Sequence, residues 1–163
     1  MAFDVRWMIR RDMPTVCAIE RYSFEFPWTE EQFLVCLRSR DCIGMVAEYE
    51  ERVVGFMIYE LFKQRLHLLN FAVHPDYRRN GIGSAMLAKL ASKLVGRRTS
   101  VMLEVRETNV EAQLFLKAVG FRAVSVLKGF YDESNEDAYL MQYRCVVSMD
   151  GNSGQRTGAS NAP

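Results

Sequence analysis

NFAVHPDYRRNGIGS, residues 70–84, joins an apolar strand-like run to a helical pattern through a basic loop with two glycines. The run begins near Arg65 and stops at His74-Pro75. The helical pattern spans Gly83 to Val95, with Met86, Leu87, Leu90 and Leu94 along one side and Gly96 as its stop. A strand that feeds a helix through such a loop is suited to anions. The first N–H groups of a helix lack intrahelical partners, and the helix dipole favours negative charge there. Gly81 and Gly83 carry no side chain to keep a phosphate away from the backbone, and Arg78 and Arg79 add positive charge. Two other phosphate-binding patterns are absent. No Gly-x-x-x-x-Gly-Lys-Ser/Thr occurs, and no Gly-x-Gly-x-x-Gly follows the first strand.

Working outward, strand-like and helix-like stretches alternate. Val5 to Ile9 reads as a strand. Pro14 to Phe24 reads as a helix with Asp12 as its cap and Pro14 in its first turn, where proline is tolerated. Thr29 and Gln32 fit a capping box before a second helix whose Phe33, Leu34 and Leu37 share a face. Ile43 to Tyr49 and Arg52 to Phe62 are β-branched and aromatic, joined through Glu50-Glu51 as a hairpin. After the central segment come a strand over Ser100 to Val105, a helix over Asn109 to Val119 closed by Gly120, and strands over Arg122 to Leu127 and Ala138 to Cys145. The order β-α-α-β-β-β-α-β-α-β-β is an α/β pattern with a mixed sheet.

The chain of 163 residues suits one domain, and its 49% hydrophobic and 25% charged residues suit a soluble core. A net charge of +1 offers no broad field for nucleic acid, so direct DNA binding is not expected. Cys17, Cys36, Cys42 and Cys145 have no CxxC spacing and lie away from metal-ligand spacing with His67 and His74, so no metal is expected. Scattered cysteines among apolar neighbours read as reduced core thiols. Neither a signal peptide nor a membrane-spanning run is evident, so the expected location is cytoplasmic. Gly151 to Pro163 is small and polar, which predicts a domain over residues 1–148 and a disordered tail over 149–163.

Several motifs in the same order resemble the GNAT N-acetyltransferase superfamily. Its acetyl-coenzyme A motif, Arg or Gln, two residues, Gly, one residue, Gly or Ala, stands here as Arg78-Arg79-Asn80-Gly81-Ile82-Gly83. Phe26-Pro27-Trp28, Asn70 to Val73, Leu103 to Arg106 with Asn109, Val119-Gly120-Phe121 and Glu136 to Tyr139 narrow the resemblance to the ribosomal-protein-alanine N-acetyltransferase (RimI-like) branch. The resemblance covers residues 3 to 145. It implies a GNAT fold in a single domain, with a mixed, mostly antiparallel sheet of about seven strands flanked by four helices.

The resemblance also implies roles. The backbone of Phe71, Ala72 and Val73 would pair with the pantetheine arm of acetyl-coenzyme A. The amides of Arg79, Asn80, Gly81, Ile82, Gly83 and Ser84 would hold its pyrophosphate, with Arg78 and Asn109 beside them. Asn109 is equally suited to cap a helix. Glu104 stands within the apolar run Val101 to Val105, where a charge is costly unless it faces a polar cleft. Its two readings are the general base, as in the branch, and a sheet-end acid paired with Arg106 or another cation. The Val73 N–H is the candidate oxyanion donor. Many relatives carry a Tyr four residues before the helix-ending Gly as a general acid, and this position holds Leu116. Tyr131 and Tyr139 are possible substitutes. A thiol with a pKa of about 8–9 leaves tolerably as thiolate, so no acid need be required.

The branch acetylates protein N-termini, notably alanine on a small-subunit ribosomal protein. Phe26, Pro27 and Trp28 on one side and Tyr131 and Tyr139 on the other are the implied peptide-binding residues. Asp132, Glu133, Glu136 and Asp137, facing Glu25, Glu30 and Glu31, suggest a basic peptide or, alternatively, a solvated acidic turn. Two further readings stay open: a small-molecule amine or antibiotic acetyltransferase, and a coenzyme A-binding regulatory module without turnover.

Overall fold

β-branched and aromatic runs alternate with amphipathic ones, and the computed structural model, which describes residues 2–145, resolves them into seven strands and four α-helices. The order is β1 (Asp4–Trp7), α1 (Met13–Ser23), α2 (Glu30–Leu37), β2 (Cys42–Tyr49), β3 (Arg52–Leu61) and β4 (Arg65–Val73). Then follow α3 (Ile82–Ala91), β5 (Ser100–Arg106), α4 (Val110–Ala118), β6 (Arg122–Tyr131) and β7 (Glu136–Arg144). This is the order read from the sequence. The expected tail, 149–163, lies outside the described residues.

The strands form one sheet in the order β1-β2-β3-β4-β5-β7-β6. β4 and β5 are parallel and every other neighbouring pair is antiparallel. Period-two alternation sends apolar side chains to both faces. Val46, Phe56 and Ile58 meet Val16 and Ile19 of α1 and Phe33 of α2. Met57, Leu66, Val101 and Leu103 meet Met86 and Leu90 of α3 and Leu116 of α4 on the other face.

Local chemistry explains the element ends. Thr29 Oγ1 accepts from the Gln32 N–H at 3.2 Å while Gln32 Oε1 accepts from the Thr29 N–H at 2.8 Å, the predicted capping box. Glu50 and Glu51 both take positive φ, 48° and 62°, the requirement of a tight two-residue hairpin. Asp12 corrects an expectation. It precedes α1 but makes no side-chain cap, because its carboxylate is held by a two-pronged Arg6 contact at 2.8 and 2.9 Å and by the Ile9 N–H.

α3 is shorter than predicted and ends at Ala91, where the N–H groups of Lys93 and Leu94 turn to carbonyls three residues back. The last two strands are longer than predicted, so their turn contracts to residues 132–135, with Gly129 at φ 57° inside β6. The thiols divide as well. Cys17 is buried, Cys36 and Cys42 are half-buried with sulfurs 2.8 Å apart, and Cys145 is exposed, so a core placement holds fully only for Cys17. Among the described residues no helix is long and apolar enough to cross a membrane.

Candidate active site

β4 and β5 are joined for only three residues, Arg65 to His67 against Ser100 to Met102. Beyond that point β4 runs on to Val73 and β5 to Arg106 without pairing, so the sheet opens like a V. A bulge helps to open it. Ile58 faces Asn70 and Tyr59 faces Leu68, which leaves Leu69 as the extra residue on β4. The opening forms a cleft of about 570 Å³, within the usual range for a small-molecule site.

One edge of the cleft is a backbone edge. The His74 N–H donates to the Val54 carbonyl of β3. Alternation along the strand therefore turns the N–H groups of Phe71 and Val73 the other way, toward the opening. The Phe71 N–H is taken by the Asn70 Oδ1 at 2.9 Å, and the Val73 carbonyl accepts from Arg78 Nε at 3.1 Å. The outward-facing Val73 N–H remains as the donor at the end of the strand.

Below it lies the α3 N-terminus. Gly81 is the N-cap at φ 78°, with no atom within 4 Å of where a Cβ would stand. The N–H groups of Ile82, Gly83 and Ser84 are first-turn donors without helical acceptors. A Cβ on Gly83 would lie 3.1 Å from the Phe115 ring, which stacks on Phe71 at 6.1 Å. This open cradle of backbone donors fits a diphosphate. Arg79, at φ 64°, lines the cleft. Arg78 lines it too, but its guanidinium reaches back to Val73 and to Ser23 Oγ. Asn80 turns its amide onto the Tyr77 and Arg78 carbonyls and thus braces the loop from within. Asn109 lines the cleft and also caps α4, its Oδ1 accepting from the Ala112 N–H at 3.1 Å.

The opposite edge carries the titratable groups. Glu104, 20% exposed, projects from β5 into the cleft, with His67 Nε2 at 2.8 and 2.9 Å from its two oxygens. Of the two sequence readings of its surroundings, the Arg106 partner is replaced by His67. Arg106 instead pairs with Glu133 and Glu136.

Tyr131 lines the same wall. Burial pushes its phenol up to about 12, opposed by Arg106 and reinforced by Glu104, Glu133 and Glu136. A phenol that weakly acidic is a poor proton donor to a thiolate. Tyr139 is a correction. It pairs with Val105, whose side chain belongs to the α3–α4 core, so strand alternation puts Tyr139 on the sheet face opposite Glu104.

Phe26 and Trp28 line the cleft, whereas Pro27 is exposed and does not. Glu20, which the sequence reading passed over, anchors this wall together with Asn70. Glu20 is 1% exposed and accepts from the Trp28 N–H at 2.9 Å and from Asn70 Nδ2 at 2.8 Å. Burial raises its pKa, while those two donors pull the other way. Its signal in the sequence was a lone acid on the apolar face of α1.

The acidic residues expected to greet a basic peptide are largely engaged internally. Glu133 and Glu136 bind Arg106, and Asp137 binds Lys128. Glu30 and Glu31 occupy the first turn of α2, where the helix dipole favours them.

Known proteins resemble this chain in sequence and in overall fold. The sequence profile of the Acetyltransferase (GNAT) family matches residues 4–121. The chain is 30% identical over 133 residues to the ribosomal protein bS18-alanine N-acetyltransferase of Escherichia coli strain K12, covering 80% of this chain and 89% of the relative. It is 33% identical over 144 residues to an N-alpha-acetyltransferase of Sulfurisphaera tokodaii, covering 80% and 86%. The crystal structure of the ribosomal-protein-S18-alanine N-acetyltransferase from Escherichia coli superposes with a TM-score of 0.80 at 25% identity, over 93% of this chain and 99% of that one.

Proposed function

The chain belongs to the GNAT acetyltransferase family, and from that premise we propose that it acetylates the α-amino group of a protein N-terminus, specifically a ribosomal protein that begins with alanine. The donor is acetyl-coenzyme A, the acyl donor of the GNAT family. The observation that carries the reading is the open edge of β4 beside Glu104, with the α3 N-terminus at its end.

In this reading the first-turn N–H groups of Ile82, Gly83 and Ser84 hold the diphosphate, and the edge of β4 takes the pantetheine arm. Bound acetyl-coenzyme A supplies an activated acyl group. The chain's own residues prepare the nucleophile. An α-ammonium has a pKa of about 7.7–8.0, so much of it must lose a proton near neutrality before it can attack. Glu104 accepts that proton, directly or through one water. His67 keeps the carboxylate aimed by donating from Nε2. The Val73 N–H is oriented to donate to the acetyl carbonyl oxygen as charge develops there. Leu116 and the weakly acidic Tyr131 favour departure of the thiolate without a proton donor.

The peptide enters between the Phe26–Trp28 wall and Tyr131. With most of the turn acids already paired, a basic peptide owes its attraction chiefly to Asp132 and Glu25. A ribosomal substrate implies a cytoplasmic location. Thiol release from acetyl-coenzyme A tests the assignment, measured with Ala-starting basic and neutral peptides, a polyamine and an aminoglycoside. The expected result is turnover with the peptides and acetylation at their α-amines by mass spectrometry. Turnover confined to the small amines moves the substrate class to the small-molecule branch. Binding of acetyl-coenzyme A with no acceptor turned over makes the chain a regulatory module.

A further inference from the structure

The acetyl-coenzyme A half of the cleft rests on buried strands and helices, and in the peptide half Trp28 packs on the core while Phe26 and the end of β6 lie farther out. β6 is exposed along nearly its whole length, so its end at Tyr131 has little apolar anchoring. On the other wall Phe26 is 37% exposed in an irregular segment between α1 and α2. One side chain touches both. The Arg106 guanidinium carbon lies 3.8 Å from the Tyr131 ring centroid and 4.9 Å from that of Phe26. Its Nη1 donates to Ser134 Oγ at 2.8 Å and to Glu136 Oε2 at 2.9 Å, and its Nη2 donates to Glu133. Glu136 is held in turn by Thr108 and Ser134.

We infer that Arg106 is a positioning residue of the peptide channel: its guanidinium, in contact with the rings of both Phe26 and Tyr131 and pinned by Glu133 and Glu136, sets the separation of the two walls. This rests on the peptide reading given above. The side chain suits the task for chemical reasons. A guanidinium is planar and stacks on aromatic faces while its edge donates in a fixed fork. An ammonium offers neither plane nor fork. Arg106 stands two residues beyond Glu104 on the same strand, so the bridge also fixes where the peptide lies relative to that carboxylate. The acids that resemble bait for a basic substrate thereby acquire a structural role.

The test compares Arg106→Lys and Arg106→Met with the unaltered chain. Steady-state kinetics use an Ala-starting peptide, and calorimetry measures acetyl-coenzyme A alone. KM for the peptide is expected to rise about tenfold or more in both variants, with kcat falling less than about threefold and acetyl-coenzyme A affinity unchanged. Rescue by Lys, or loss of acetyl-coenzyme A affinity in step with KM, overturns the inference. Glu133→Gln combined with Glu136→Gln tests it from the solvent side should the Arg106 variants fail to fold. That pair is expected to raise KM about threefold, and an unchanged KM counts against the bridge. An unaltered chain that binds acetyl-coenzyme A and turns over no peptide removes the functional reading and the bridge together. Normal turnover with indifferent variants removes the bridge alone.

Discussion

His67 Nε2 lies 2.9 Å from one carboxylate oxygen of Glu104 and 2.8 Å from the other, just past the point where the parallel register of β4 and β5 ends at His67 and Met102. The imidazole sits on the last paired residue of β4 and the carboxylate two residues into the opening. One hydrogen-bonded contact thus fixes the group that faces the cleft. Glu104→Gln keeps the shape and removes the proton acceptor. It is expected to lower kcat/KM for a peptide by about 10²–10⁴-fold at neutral pH, with the deficit narrowing as pH rises through the amine pKa. His67→Gln retains a donor and is expected to stay closer to the unaltered rate than His67→Ala. A pH profile of thiol release measures both, and full activity of Glu104→Gln at neutral pH removes it as the base.

Leu116 is 2% exposed and packed in the core, although it also borders the cleft. Leu116→Tyr introduces a phenol at the position where relatives keep one. If thiolate departure needs no acid, kcat stays within about threefold while overpacking costs about 1–3 kcal/mol. Tyr131→Phe is likewise expected to leave kcat within about threefold, since a phenol raised to about 12 contributes little as an acid. A large gain in kcat from Leu116→Tyr, followed by stopped-flow thiol detection, reverses this view.

Gly81 holds φ 78° at the α3 N-cap with open space around it. Gly81→Ala meets no neighbour, so its cost is backbone strain of about 1 kcal/mol. The same methyl would stand where a diphosphate approaches. Acetyl-coenzyme A affinity, measured by calorimetry, is expected to fall about tenfold, which corresponds to about 1.4 kcal/mol. An affinity loss no greater than the fraction of unfolded protein argues against this loop as the diphosphate site.

Asp12 is buried beside Arg6. Burial tends to raise its pKa, but the Arg6 hydrogen bonds and the Ile9 N–H outweigh that and leave it lowered. A lowered carboxyl pKa contributes stability that is fully present above the unfolded value of about 3.9 and is lost as pH falls through the folded value. Asp12→Asn is therefore expected to cost about 1–3 kcal/mol at pH 7. Denaturant unfolding should show that gap holding down to about pH 4 and closing below it. A gap that widens in acid contradicts the assignment.

Much of the fold was legible because its signals are local. The Thr29–Gln32 box, the Glu50-Glu51 hairpin and the loop into α3 each depend on residues a few positions apart. Element ends were less legible where tertiary contacts intervened. The capping position of Asp12 was correct, yet Arg6 from β1 claimed its carboxylate. Tyr139 was read as a cleft residue because its motif is distinctive, although the parity of β7 turns it into the core.

The sequence by itself determined the family, the order of elements, the glycine-containing turn into α3 at Gly81 and the carboxylate at Glu104, since each is written in contiguous residues. Only the tertiary structure decided what Glu104 and Arg106 touch. The splay of β4 from β5, the pairing of His67 with Glu104 across 37 positions and the contact of Arg106 with Tyr131 all depend on strand register. Register is set by the summed packing of both sheet faces and by one bulged residue, and a shift of a single position would reverse the face of every side chain involved.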